Sequence, residues 1–290
     1  MPAFTAKILN YSFLIHMMQN PKKIFLEIKE LRIQGAEEVA KAGIKAWQIA
    51  KDKEEITRLL LSARPDEPML KNSLKYLAKY GDANSLLEEI EKSREKIMHE
   101  GSNLIKDGST IYTHCHSSTV EAIIERAALS KKINVHATET RPHLQGRITA
   151  KGLATHGIPV DFYVDSAALY ALQGATMMMI GADVITKASI INKVGSRLIA
   201  MASYALHIPV YIAADALKFD PLSLHEKVKI EVRNKNEIWG IKDKNINIHN
   251  PVFEEVPARY IKGIITQFGI LSPVDLYYKL KEYYKWMFER

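Results

Sequence analysis

The chain has 290 residues, 47% of them hydrophobic and 25% charged, which excludes a disordered, collagen-like or coiled-coil chain and suffices to bury one large core or two ordinary ones. Forty basic against thirty-three acidic side chains leave a net +7; the surplus makes an anionic partner worth testing, but it is scattered and lacks interleaved aromatics, so nucleic acid is not an expected partner. The single cysteine, Cys115, excludes an intrachain disulfide and a cysteine-rich zinc site, and with no run of 18 apolar residues the expectation is a reducing, cytoplasmic setting without a membrane span.

The opening apolar stretch, Tyr11 to Met18, is short, contains His16 and precedes no small-residue cleavage site. No signal peptide is expected, and Met17 or Met18 would serve as an alternative start. From Pro21 to about Lys106 apolar residues recur at helical spacing: Ile24, Ile28 and Leu31, then Val39, Ala42 and Ala46, then Leu59 to Leu61, then Leu86, Leu87 and Ile90. Charged residues fill the other faces, which predicts three to five helices in an N-terminal helical domain, residues 1–106. The plain role for such a domain is packing and oligomerisation.

After Asp107-Gly108 the rhythm changes to short runs rich in Val, Ile and Tyr. Strands are predicted over Thr110 to Cys115, Ile133 to Thr138, Pro159 to Asp165, Met177 to Asp183, Pro209 to Asp215 and Val228 to Arg233. Helical stretches fall at Thr119 to Leu129, Ile148 to His156, Ala167 to Leu172 and Ser196 to Leu206. That alternation implies crossover units and a Rossmann-like, mostly parallel sheet domain, residues 107–290, so the fold class is α/β. Neither a Gly-x-Gly-x-x-Gly turn nor a Walker-type Gly-Lys-Ser/Thr occurs, which argues against dinucleotide hydride transfer and P-loop hydrolysis. Cys115, Glu139, Asp165, Asp183 and Asp215 each close a predicted strand, at the edge where open parallel sheets bind ligands.

Each candidate group has a plain reading beside a chemical one. Cys115 lies before a helix whose start reads as a capping box, Ser118 with Glu121; it is either a small buried hydrophobe or a thiol activated at a helix start that also attracts anions. His114 and His116 would point, by strand alternation, to the face opposite the thiol, which disfavours a metal cage. Asp183 ends an apolar strand after Gly181 and is either a turn cap or a carboxyl tuned by burial. Asn192 and Lys193 precede the helix starting at Gly195-Ser196, where an amide and an ammonium suit an anionic substrate; a solvated loop lysine is the ordinary alternative. Arg141 and Gln145 flank a proline turn in which an arginine can clamp phosphate or simply face water, and Arg64-Pro65 is a weaker copy of the same pattern.

Five ordered motifs together carry a resemblance: Thr113-His114-Cys115-His116-Ser117-Ser118; Thr138-Glu139-Thr140-Arg141-Pro142 with Gln145-Gly146; Gly181-Ala182-Asp183; Ile191-Asn192-Lys193-Val194-Gly195; and Ala213-Ala214-Asp215 with Lys218-Phe219. From about Gly35 to Leu276 the chain resembles the superfamily that joins ribose-1,5-bisphosphate isomerases and methylthioribose-1-phosphate isomerases to the alpha, beta and delta regulatory subunits of translation initiation factor 2B. The archaeal ribose-1,5-bisphosphate isomerases look most similar. The resemblance implies a catalytic pair at Cys115 and Asp183, which the regulatory subunits commonly lack. It also implies phosphate contacts from Gln34, Gly35, Ala36, Arg64, Ser117, Arg141, Gln145, Asn192 and Lys193, no cofactor and no metal, and dimers that assemble into hexamers.

The expected activity is aldose–ketose isomerisation of a sugar 1-phosphate, foremost ribose 1,5-bisphosphate to ribulose 1,5-bisphosphate in nucleotide salvage, with AMP an activator to be tested. The alternatives are a non-enzymatic regulatory subunit that binds initiation factor 2 or a phosphorylated metabolite, and a methylthioribose-1-phosphate isomerase. Three positions depart from the isomerase pattern. Ile33-Gln34-Gly35-Ala36 stands where the isomerases usually carry Arg-Gly-Ala, with Arg32 as a candidate substitute; Thr266-Gln267-Phe268-Gly269 replaces an acidic Thr-Glu-x-Gly; and Glu254-Glu255-Val256-Pro257 replaces an Asp-x-Thr-Pro pattern.

Overall fold

A computed structural model describes residues 20–228, 230 and 232–289. Met17, Met18 and the Tyr11–Met18 stretch lie outside the described residues. The chain forms two compact units, one ending at Ile90 and the other beginning at Glu91, so the division falls inside the helix Ala83–Leu104.

The first unit is helical: Pro21–Lys29, Ala36–Ile49, Lys53–Ala63, Pro68–Tyr80 and the opening turns of Ala83–Leu104. Local chemistry sets their ends. The Asn20 carboxamide accepts from the Lys22 N–H at 3.0 Å and the Asp52 carboxylate from the Glu55 N–H at 2.8 Å, each satisfying a donor with no partner in the first turn. Pro21 and Pro68 occupy first-turn positions, where no N–H is needed. Of the apolar positions read from the sequence, Ile24, Ile28, Val39, Ala46, Leu60, Leu86 and Ile90 are buried, and Ile44, Leu70, Leu74 and Leu77 are buried as well. Gly43 faces Leu70 so closely that an added Cβ would lie 2.4 Å from its Cδ1, so the absent side chain brings these two helices together.

The second unit is built on a sheet of seven strands, β1 (Thr110–Thr113), β2 (Asn134–Thr138), β3 (Val160–Tyr163), β4 (Met177–Ile180), β7 (Val210–Ala213), β9 (Gly263–Thr266) and β10 (Gly269–Leu271). They lie in the order β10-β9-β7-β4-β1-β2-β3. All neighbouring pairs are parallel except β9 with β10. β4 is buried along its whole length, as a strand covered on both faces must be. Helices Ser118–Ala128, Gly146–Thr155, Ala168–Leu172 and Ser196–Ala205 make the crossovers. From the first two of these helices Val120, Ile123 and Leu153 join Ile111, Val135, Met177, Met179, Ala213 and Ile265 in one core.

The predicted α/β architecture with a mostly parallel sheet is present, and several details differ. A small antiparallel sheet, β5 (Val184–Ile185), β6 (Ser189–Lys193) and β8 (Phe253–Pro257), was not expected. Nor were β9, β10 and the closing helix Pro273–Tyr283. The strand expected over Val228 to Arg233 is not formed by its described residues: Val232 makes only an isolated bridge to Pro251, and Lys229 and Glu231 lie outside the described residues.

The strand order locates the site. From β1 the chain winds to β2 and β3 on one side, then returns to β4 on the other side of β1 and continues outward to β7 and β9. The carboxyl ends of β1 and β4 therefore flank the point where winding reverses, which is where open α/β sheets leave a crevice. Cys115 follows β1 and Asp183 follows β4.

Candidate active site at the β1–β4 switch point

β1 ends at Thr113, and Cys115 has φ 68, in the left-handed region. The strand alternation expected to turn His114 and His116 away from the thiol is therefore broken at the cysteine itself. Three side chains of one segment engage the polar groups of Cys115. Its N–H donates to Thr140 Oγ1 at 2.9 Å, its carbonyl accepts from Thr149 Oγ1 at 3.2 Å, and its Sγ–H donates to Gln145 Oε1 at 3.5 Å. Residue 114 is tied in alongside: His114 Nε2 donates to the Val194 carbonyl at 2.9 Å, so Nδ1 accepts the Thr138 hydroxyl at 2.8 Å. Burial pushes the pKa of His114 below its ordinary value, and the ring serves as a neutral strut. His116 Nδ1 meets Thr149 Oγ1 at 3.0 Å and Glu121 at 3.5 Å. Among the described residues no group of three or more His, Cys, Asp or Glu side chains is placed to hold a metal ion.

The helix after Cys115 begins one residue earlier than a Ser118 cap requires. Ser117 is the cap, its Oγ accepting from the Val120 N–H at 3.4 Å, and Glu121 turns to His116 instead of closing a capping box. The expectation that this helix start lowers the thiol's pKa is also corrected. Burial pushes the Cys115 thiol up to about 11, the negative charges of Asp183 and Asp165 adding to the rise, while the Lys193 charge and the His116 N–H oppose it. Desolvation of a buried thiolate outweighs a partial helix charge that is further weakened by being shared with the cap.

Asp183 is brought to this turn by backbone packing. Gly181 lies against Ser117, so that an added Cβ would sit 2.8 Å from its Oγ. The Asp183 N–H donates to the Ile191 carbonyl at 2.9 Å, holding the residue at the start of β5. Lys218, a buried cation absent from the candidates drawn from sequence, donates from Nζ to the Ala182 carbonyl at 2.8 Å. The signal that could have found it was the Lys218-Phe219 pair in the last motif.

The other strand-end acids hold loops. Asp165 accepts from the Thr140 and Arg141 N–H groups at 2.7 Å each, Glu139 pairs with Arg147 at 3.3 Å, and Asp215 accepts from the Leu217 N–H at 2.7 Å. The Arg141 side chain is exposed and that of Gln145 partly so. Asn192 and Lys193 close β6 instead of opening a helix. Asn192 Nδ2 donates to Ser196 Oγ at 3.1 Å, and Lys193, 4% exposed, places Nζ 5.1 Å from the centre of the Phe253 ring. The helix start itself is taken by a protein carboxylate. Glu254 accepts from the Gly195 N–H at 2.6 Å and the Arg197 N–H at 2.9 Å, so an anionic substrate cannot use those donors while that contact stands.

In the first unit Gln34 is exposed, its amide donating to the Leu31 carbonyl at 2.6 Å. Gly35, φ 85, turns the chain into the helix that begins at buried Ala36. Arg32, the candidate substitute for a loop arginine, is paired with Glu27 at 2.7 Å and Glu30 at 2.5 Å. Arg64 ends the Lys53–Ala63 helix with its guanidinium 3.6 Å from Glu67.

Residues 27–273 match the initiation factor 2 subunit family. The chain is 34% identical to a ribose 1,5-bisphosphate isomerase of Methanocaldococcus jannaschii, over 92% of this chain and 96% of that protein. It is 35% identical to the ribose 1,5-bisphosphate isomerase of Pyrococcus furiosus, over 91% and 94%. Among solved structures, the Pyrococcus horikoshii OT3 protein described as translation initiation factor eIF-2B superposes with a TM-score of 0.78 at 30% identity, covering 87% of this chain and 97% of that one.

Proposed function

The chain belongs to the initiation factor 2 subunit family, and from that premise we propose that it is an aldose–ketose isomerase converting ribose 1,5-bisphosphate to ribulose 1,5-bisphosphate. The observation that carries the reading is the switch-point turn. Cys115 lies in it in a left-handed backbone conformation, Gly181 packs on Ser117 there, and the charges of Asp183 and Lys193 both act on the thiol. The isomerase names of the relatives in Methanocaldococcus jannaschii and Pyrococcus furiosus support the substrate.

A ribose phosphorylated on its anomeric oxygen cannot open its ring spontaneously, because the hydroxyl that would become the aldehyde is blocked. In our reading Cys115 and Asp183 share one working proton. It rests on sulfur in the free protein and passes to Asp183 when the thiolate forms, a state that the Lys193 charge favours. The Asp183 carboxyl protonates the ring oxygen as the C1–O bond breaks, and the thiolate takes the C2 proton, leaving an enol across C1 and C2. Sulfur returns that proton to C1 while Asp183 takes the C2 hydroxyl proton, which yields the ketone and restores the pair. Ser117, Arg141, Gln145, Asn192 and Lys193 hold phosphate in this scheme. The protein acts as a homo-oligomer, a dimer or a trimer of dimers, readable by light scattering.

The test is incubation with ribose 1,5-bisphosphate, with and without AMP, followed by phosphorus NMR. Resonances of ribulose 1,5-bisphosphate support the reading, and their absence under both conditions overturns it. Methylthioribose 1-phosphate in a parallel tube separates the two isomerase activities. A second reading, a non-enzymatic regulatory subunit, draws on Gln34 and Gln267 at positions where the isomerases carry charge. It requires no turnover of either sugar together with calorimetric binding of initiation factor 2.

A further inference from the structure

We infer that Thr140 and Thr149 are positioning residues that clamp the two peptide groups of Cys115 and so aim its thiol; the inference rests on the isomerase reading for its kinetic consequence. A cysteine serving as a small hydrophobe would be expected to continue the strand. Cys115 instead takes φ 68, a conformation that a non-glycine residue holds only when its surroundings impose it.

The imposing groups are two hydroxyls. Thr140 Oγ1 receives the Cys115 N–H at 2.9 Å and, as donor, bonds the Thr138 carbonyl at 3.2 Å. Thr149 Oγ1 donates to the Cys115 carbonyl at 3.2 Å; its proton thus committed, it accepts from His116 Nδ1 at 3.0 Å. Both threonines are 1% exposed, so water does not compete for either contact.

The support continues one layer further. Thr140 is itself left-handed, φ 61, unusual for a β-branched residue. It is held there by Asp165, whose two oxygens accept the N–H groups of Thr140 and Arg141 at 2.7 Å each. A strained threonine braced by a carboxylate thereby braces a strained cysteine. Such an arrangement fits a group whose direction matters, since a misplacement of about 1 Å can lower a rate about a hundredfold.

The experiment uses Thr140→Val and Thr149→Val, which keep the branched shape and remove the hydroxyl, with Thr140→Ser and Thr149→Ser as rescues. Two readouts are taken on the full chain: kcat and KM with ribose 1,5-bisphosphate, and the pH dependence of iodoacetamide alkylation. Cys115 is the single cysteine, so all alkylation reports on it. Each valine variant is expected to lose about 10- to 100-fold in kcat with KM within about twofold, and to shift the alkylation profile. Each serine variant should recover both. Valine variants with the wild-type kcat and alkylation profile overturn the clamp, as does a loss that serine fails to restore. If either valine variant fails to fold, the alanine variant at the same position, which also removes the hydroxyl, is put to the same two readouts with the same serine rescue and the same criteria. A wild-type protein that does not isomerise the sugar removes the proposed reaction, and the alkylation profile then decides the clamp by itself.

Discussion

Removal of the Cys115 sulfur tests the chemistry where the geometry is most constrained. Positioned acid and base groups each contribute roughly 10²- to 10⁴-fold, so Cys115→Ser and Asp183→Asn are each expected to lose that range in kcat with ribose 1,5-bisphosphate, and the double variant little more, since the two act as one unit. Retention of more than about a tenth of kcat in either would break the pairing. The thiol also carries a pH signature. Burial and two nearby carboxylates push it up to about 11 from an ordinary 9.0, so it is protonated throughout the neutral range and only the thiolate alkylates. The logarithm of the alkylation rate in the free protein should therefore climb with unit slope through pH 10. A plateau near pH 9 would show a thiol that feels no net burial. The cysteine and the aspartate were legible in the sequence as strand-end groups. The left-handed turn was not, because the hydroxyls that impose it lie 25 and 34 positions away.

At the scale of elements, the turn from β2 into the Gly146–Thr155 helix determines whether the cradle exists. A Cβ on Gly146 would lie 1.8 Å from the Thr138 carbonyl oxygen, a backbone atom that cannot swing aside. Gly146→Ala must displace the segment carrying Thr140, Gln145 and Thr149, and we expect at least a tenfold loss of kcat together with faster alkylation of Cys115 at pH 8, as the thiol loses its cover. A crystal structure of the variant with that segment unmoved would refute this account of the glycine. The helices and central strands were readable because each carries its own period, every third or fourth residue in the first unit and short β-branched runs in the second. The small sheet carries none. β5 is two residues long and β6 ends in Asn192-Lys193, so they read as a loop until β8, more than fifty residues later, supplies the partner. The same distance hides Glu254. Nothing near Gly195 in the sequence announces that a carboxylate will occupy the helix start where an anionic substrate was expected.

For the whole molecule, the reversal of winding between β1 and β4 turns two motifs 68 positions apart into neighbours, and the packing that achieves this sets the response to acid. His114 joins the β1 end to Thr138 on one side and Val194 on the other, crossing from the large sheet to the turn after the small one. Burial lowers its pKa from an ordinary 6.5 and lowers that of His116 likewise. An unfolded chain therefore binds protons near pH 6 that the folded chain refuses, so unfolding takes up protons and stability falls as pH drops through and below 6.5. Each histidine contributes at most about 1.4 kcal/mol per pH unit across that window. Glu121 works the other way, since burial raises its pKa and the folded state keeps its proton at a pH where the unfolded state has lost it. The comparison that isolates the histidine is the slope, not the level, of urea stability between pH 7.5 and 5.5. His114→Gln keeps a side chain able to donate to the Val194 carbonyl but has nothing to protonate. It should flatten the slope by up to one proton's worth, whatever its effect on absolute stability. An unchanged slope in His114→Gln would mean that the ring takes its proton as readily in the fold as in the unfolded chain, and that it is not the neutral strut joining the two sheets.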